Sequence, residues 1–213
     1  MSGTNAEGRT YAGPMAKPTR WVTDTKDGHS EWYIDRFRRM EAEGADLVGE
    51  GRLVDAMVRR NARILDAGCG PGRVGAYLHS VGHDVVGVDA DPKLIAAAEV
   101  DHPGPRWLVA DLSELDLAAQ GEPAPFDAIV LAGNVMVFLA PGTEVDVLRR
   151  AHLHLADDGF VITGFHVHRE LDLAAFDGAV DVAGLRIEHR FATWDLRAWH
   201  DDADFAVTVL RKD

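Results

Sequence analysis

"RILDAGCGPGRVGAYL" (residues 63–78) is the stretch on which the fold turns. The apolar pair Ile64–Leu65 runs into an acid, Asp66. A turn with glycines at 68, 70 and 72 follows, and then a helical pattern. A strand, a glycine turn and a helix in succession build a backbone cradle for a charged or nucleotide-like ligand. Two patterns fit. Gly68, Gly70 and Gly72 satisfy G-x-G-x-G, while Gly70, Gly72 and Gly75 satisfy the dinucleotide fingerprint G-x-G-x-x-G. Asp89, 19 residues beyond Gly70, supplies the downstream acid which that fingerprint requires. Context weakens the dinucleotide reading. The strand ends in "LDAG", so Gly68 opens the turn and Gly75 falls inside the helix. Asp66 would repel a pyrophosphate and attract an ammonium.

Outward from the turn, strands and helices alternate. Further strands are read at "HDVVGVDA" (83–90), "RWLVAD" (106–111), "FDAIVLAG" (126–133) and "GFVITGF" (159–165). Helices are read at "RVGAYLHSVG" (73–82), at "PKLIAAAEV" (92–100) with Pro92 in its first turn, and over 143–155. Near-continuous apolar runs are the mark of parallel strands buried on both faces. Their alternation with helices predicts a doubly wound α/β sheet. Late strands are expected at 185–193 and 204–212. The link between them is too short for a crossover and implies an antiparallel pair.

Before the first strand, residues 1–28 read as a flexible arm in which Tyr11 and Trp21 could fold down as latches. Residues 29–60 carry two helices that form a possible lid, one capped by Ser30 and ended by Gly44, the other spanning about 49–60. Residues 61–213 form the ligand-binding domain.

The 22 Lys and Arg stand against 35 Asp and Glu, and the net charge of -13 argues against a broad nucleic-acid surface. A single cysteine, Cys69, excludes an internal disulfide and fits a reducing compartment. "MSGTNAEGRT" lacks the apolar segment of a leader, and no run reaches the roughly 18 apolar residues of a membrane span. The expectation is a cytoplasmic protein acting away from the membrane.

Asp66, Asp89 and Asp111 close three successive strands, which in an open sheet places them on one crevice at its switch point. A ligand with an ammonium, a ribose and an adenine would use all three. Each acid also has a plainer reading as the cap of the next helix.

"ILDAGCGPGR", "VVGVDADPKLI", "VADLSEL" and "FDAIVLAGNV" resemble, in order and spacing, the motifs of class I S-adenosylmethionine-dependent methyltransferases, small bacterial members included. The resemblance covers about residues 60–165. It implies a Rossmann-like, seven-stranded sheet in the order 3-2-1-4-5-7-6, with "DFAVTVLRK" as the antiparallel strand 7. It also implies S-adenosylmethionine as co-substrate. Asp66, Gly68, Gly70 and Gly72 would hold the methionine part, and Arg73 would help with its carboxylate. Asp89 would take the ribose, Ala90 would pack the adenine, and Asp111 with Leu112 would read its edge. Ala132, Gly133 and Asn134 would lie near the methyl group and the acceptor.

Methyl transfer from a sulfonium is an in-line displacement that mainly needs alignment and exclusion of water. The acceptor-side candidates are Asn134, which either orients substrate or caps a helical turn, and His166. His166 is a base near neutral pH or an exposed loop residue. Tyr33 is a third catalytic-site candidate, either in a lid that shields the sulfonium or in simple packing, and Phe37 shares its face. Trp194 and Trp199 either wall an acceptor pocket or cover an edge. His166 and His168 form His-x-His without an evident third ligand, and "HDDAD" (200–204) reads as a solvated hairpin, so no metal is implied. "AGNV" after the fourth strand departs from the "NPPY" of many base-amine and glutamine methyltransferases. The expected acceptor is a small molecule and the expected assembly a monomer or homodimer. The competing readings are a nicotinamide-dependent oxidoreductase and a non-catalytic S-adenosylmethionine-binding protein.

Overall fold

The computed structural model describes residues 17–122, 125–167 and 169–213. Tyr11, part of the 1–28 arm and His168 lie outside them. Helices α1 (Arg20–Thr23), α2 (His29–Ala42) and α3 (Gly49–Met57) precede the sheet. The sheet then alternates as β1 (Arg63–Ala67), α4 (Arg73–Ser80), β2 (Asp84–Asp89), α5 (Pro92–Asp101), β3 (Arg106–Val109) and β4 (Phe126–Leu131). After it come α6 (Val135–Phe138), α7 (Glu144–His154), β5 (Leu155–His166), α8 (Leu173–Val182), β6 (Leu185–Phe191) and β7 (Phe205–Lys212).

The seven strands run in the order β3-β2-β1-β4-β5-β7-β6, as the resemblance implied. β1 to β5 pair in parallel, and β7 is antiparallel to both β5 and β6. Adjacent residues of β1 show why its run is apolar throughout. Ile64 points into a core with Val54, Val74, Leu78 and Val130 on the face of α3 and α4. Leu65 points into the other core, with Phe126, Leu148, Phe165 and Phe176 on the face of α7 and α8. Each such side chain, fully removed from water, stabilises the fold by about 1.5–3 kcal/mol.

Several boundaries differ from those expected. α2 begins at His29, with Gly28 left-handed at its N-cap (φ 80°). Ser30 therefore does not cap the helix. Its hydroxyl donates to Asp91 instead. α3 stops at Met57 because Val58 is already extended (φ -102°, ψ 160°), and Asn61 then turns left-handed (φ 53°) before β1. β5 starts at Leu155, directly after α7, through a register irregularity opposite Phe126 and Ala128. The polar stretch "ADDG" hid that extension from the sequence pattern. Trp194 packs with the α3/α4-side core, while Trp199 packs against the opposite core beneath the Arg190 guanidinium. The two tryptophans do not share a wall. No described helix is long and apolar enough to cross a membrane.

Candidate functional site

The carboxyl ends of β1, β2 and β3 open onto one cleft enclosing about 960 Å³, open solvent included. Asp66, Gly68, Gly70, Arg73, Asp89, Ala90, Asp111, Leu112, Ala132 and Tyr33 all line it. Parallel pairing explains the convergence, since every strand of this half ends on the same side.

The turn is shaped by its surroundings. The backbone N–H groups of Gly68 and Cys69 both donate to the Val88 carbonyl, at 2.7 and 3.0 Å, and so tie the turn to β2. Gly68 (φ 79°) lies where a Cβ would meet Val135 Cγ2 at 2.4 Å. Gly72 (φ 91°) is not part of the cleft lining. Its missing Cβ makes room for Trp107 and Ala98, so packing by itself demands a glycine there. Cys69 sits buried with Ile95, Ala98 and Trp107, and burial pushes its thiol well above the usual range. It is a small packing residue.

Asp66 is 2% exposed and accepts the Gly75 N–H through Oδ2 at 2.8 Å. Its Oδ1 takes no hydrogen bond among the described residues. Burial raises its pKa to about 7, with the Gly75 bond opposing. A buried carboxylate half satisfied by backbone is completed by an ammonium donor. Asp89 accepts from Gly70 N through Oδ2 and from Asp91 N through Oδ1, both at 2.9 Å. Burial raises its pKa to about 6. Each of its oxygens retains acceptor capacity for a hydroxyl. Asp111 caps the short 3-10 turn Leu112–Glu114, its Oδ1 accepting from the Ser113 N–H (2.8 Å) and hydroxyl (2.7 Å). Its Oδ2 has no such partner among the described residues. Capping and ligand contact are thus compatible in one side chain.

Arg73 sits differently from the expectation of a carboxylate clamp. Its Nη1 donates to Glu50 Oε2 (2.8 Å) and to the Leu47 carbonyl (2.6 Å), and its Nη2 donates to Glu50 Oε1. Burial pushes Glu50 up, but the Arg73 hydrogen bonds and charge outweigh it and hold the carboxyl below its usual value. Arg73 therefore locks α3 to the start of α4 and keeps only its Nε–H and one Nη2 hydrogen for a ligand. Nothing local in the sequence marks Glu50 as its partner, because the pair is 23 residues apart.

Other lining residues have weak or no sequence signals. Val135 and Phe138 come from the apolar turn after β4, Leu94 from α5, and Trp21 from the segment before α2. Trp21 Nε1 donates to Asp91 Oδ2 (3.0 Å), and its ring meets Tyr33 and Phe138 edge-on at 5.1 and 5.4 Å. Arg20 reaches the Leu139 carbonyl. Helix α1 thus straps the cleft from the N-terminus of α5 to the end of α6. Tyr33 lies under this strap, and burial raises its pKa, so it stays a neutral phenol. Phe37, 4.8 Å from Tyr33 between ring centres, is not part of the cleft lining.

Asn134 and His166 also stand outside the lining of this cleft, at the next two strand ends. Asn134 is left-handed (φ 67°) at the start of α6, but its side chain caps nothing there. Its Oδ1 accepts from the His166 backbone N–H (2.9 Å) and lies 3.0 Å from His166 Nδ1. Among the described residues, no cluster of His, Cys, Asp and Glu is arranged to hold a metal ion.

Comparison with known proteins bears on the ligand. Residues 64–159 match the family model described as a methyltransferase domain. The solved structure of a TehB-like S-adenosylmethionine-dependent methyltransferase from Corynebacterium glutamicum is 43% identical, superposes with a TM-score of 0.83, and covers 88% of this chain and 100% of its own. The malonyl-[acyl-carrier protein] O-methyltransferase of Enterobacter lignolyticus is 35% identical over 102 residues, 48% of this chain. That match spans only 38% of the relative's own length, and 35% for the same enzyme of Pseudescherichia vulneris. A Burkholderia thailandensis 1,6-didemethyltoxoflavin N1-methyltransferase with bound S-adenosylhomocysteine shares the fold (TM-score 0.62, 21% identity, 94% of this chain and 92% of its own).

Proposed function

The chain belongs to the S-adenosylmethionine-dependent methyltransferases, and from that premise we propose that it transfers the methyl group in line to a small-molecule acceptor. The observation that carries the donor side is Asp66, Asp89 and Asp111 at successive strand ends of one cleft, with Asp66 half satisfied and buried. S-adenosylmethionine supplies an electrophilic methyl on a sulfonium. Asp66 receives its ammonium, Asp89 the ribose hydroxyls, and Asp111 with the Leu112 amide the adenine edge. Trp21, Tyr33 and Phe138 form an aromatic wall over one side of the cleft, which limits the water that reaches the sulfonium.

A small acceptor is supported by the acidic balance of the chain and by a connection after β4 that is only a short helical turn. Neither suits a long polyanion. An acceptor carried on a partner protein, as in the acyl-carrier relatives, is the reading that labelled transfer tests alongside it.

The direct test is thermal unfolding with S-adenosylmethionine, S-adenosylhomocysteine and NAD, followed by transfer of a labelled methyl group to metabolite pools. The first two ligands should raise Tm and NAD should not, since only native-state ligands shift unfolding. Stabilisation by NAD alone would sink the donor assignment, and label appearing only on protein would sink the small acceptor.

A pH dependence follows from the two raised carboxyl pKa values. Asp66 and Asp89 bind protons more tightly folded than unfolded. Their contribution to the stability of the free protein is therefore complete below the ordinary carboxylate range. It is lost as pH rises through about 6 and about 7. A ligand ammonium and ribose favour the ionised forms. The Tm increment given by S-adenosylhomocysteine should thus be larger at pH 8 than at pH 5.5, and Asp66→Asn should flatten that difference. Equal increments at both pH values would count against the ion pair.

A further inference from the structure

The donor acids order the ligand along the sheet: adenine at β3, ribose at β2, methionine tail at β1. The next strand ends in that direction are those of β4 and then β5. They carry Asn134 and His166. This placement rests on the methyl-transfer reading above.

Two hydrogen bonds define the protonation of this pair. A backbone N–H can only donate, so the Asn134 atom that receives the His166 N–H at 2.9 Å is the amide oxygen. The same oxygen lies 3.0 Å from His166 Nδ1. An acceptor-only oxygen requires the proton on Nδ1, which leaves Nε2 as the nitrogen with the free lone pair. The ring is held further by Phe205, edge-on at 5.0 Å and 88°. Asn134 is itself fixed to β5, its backbone N–H donating to the Gly164 carbonyl at 3.1 Å. The charged side chains of the flanking segments, Asp204 before β7 and Arg169 and Glu170 after β5, make no ion pair with the ring among the described residues. The imidazole is half-buried, which leaves a route for a proton to water.

We infer that His166 is the catalytic base of the reaction, that Asn134 is the residue positioning it, and that the acceptor class is one still carrying its proton at neutral pH, a hydroxyl or an amine. The acceptor oxygen or nitrogen forms the new bond to carbon, the sulfur–methyl bond breaks with its electron pair left on sulfur, and the acceptor's proton passes to His166 Nε2. The imidazolium keeps its Nδ1–H on Asn134 Oδ1 and releases the Nε2 proton to solvent. A carboxylate or thiolate acceptor, already ionised, has no use for this base.

Two measurements test it. In ¹⁵N-labelled protein, long-range proton–nitrogen spectra should show His166 protonated at Nδ1. Asn134→Gly, which removes the amide without straining the left-handed backbone, should abolish that preference, and Asn134→Asp should keep it. A dominant Nε2–H form in the native protein overturns the assignment. The second measurement is methyl transfer to phenol, benzyl alcohol and benzylamine against benzoate and thiophenol. Transfer should favour the first three. His166→Gln should lower kcat on them by on the order of 10²-fold and remove the acid limb of the pH–rate profile. S-adenosylhomocysteine affinity should stay unchanged in that variant. Turnover insensitive to His166→Gln, or confined to benzoate and thiophenol, overturns the inference while leaving the donor site standing. Loss of S-adenosylhomocysteine binding in the native protein would instead overturn the donor site.

Discussion

Asp89→Ala is expected to weaken S-adenosylhomocysteine binding by about 10²–10³-fold in calorimetry. The variant removes two charge-assisted acceptors, each worth about 1.5–3 kcal/mol when its partner is left buried. The lower part of their summed range, about 3–4 kcal/mol, corresponds to that range of affinity. The same carboxylate receives the Gly70 and Asp91 N–H groups, so its removal also slackens the turn that faces the methionine part. Asp89→Asn separates the two roles. It keeps an acceptor oxygen and most of the volume, and should recover part of the affinity. An affinity within about threefold of native in Asp89→Ala would remove Asp89 from the ribose site.

The second large effect is on stability. Gly68→Ala should lower unfolding free energy by about 2–5 kcal/mol. The left-handed backbone at φ 79° costs a side chain about 1–2 kcal/mol. The added Cβ, 2.4 Å from Val135 Cγ2, contributes an overpacking cost of about 1–3 kcal/mol. Gly121 is the control, with a similar φ of 81° but no heavy atom within 4 Å of its would-be Cβ. Gly121→Ala should lose only the backbone cost. Urea unfolding should show a lowered midpoint with an unchanged m-value for both. Equal losses at the two positions would mean that Val135 yields freely and that the close approach is not what demands glycine at 68. Because Val135 lines the donor cleft, Gly68→Ala should also weaken S-adenosylhomocysteine binding, which Gly121→Ala leaves intact.

The elements and the donor acids were legible because their signals are local. An apolar run five or six residues long, a glycine turn and an acid at a strand's end occupy neighbouring positions. Parallel pairing then brings such ends together without further instruction. Asp66, Asp89 and Asp111 are the clearest case, read from the chain and found in one cleft. Gly72 shows the limit. Its pattern is that of a ligand-binding glycine, and nothing local in the sequence signals the packing demand added by Trp107, 35 residues away and brought alongside by the pairing of β2 with β3.

Sequence alone determined the sheet order, through the family motifs and the short link before β7, and the three acids at the carboxyl ends of β1, β2 and β3 that share one cleft. Tertiary structure alone decided how those groups are engaged. It turned most of Arg73 toward Glu50, laid Trp21 across the cleft, and divided Trp194 from Trp199. It also set the Asn134 side chain against His166, 32 residues away, with Oδ1 facing both its backbone N–H and its ring. Periodicity and strand ends are properties of neighbouring residues. Ion-pair partners, burial and tautomers are properties of groups that meet only when the chain closes on itself.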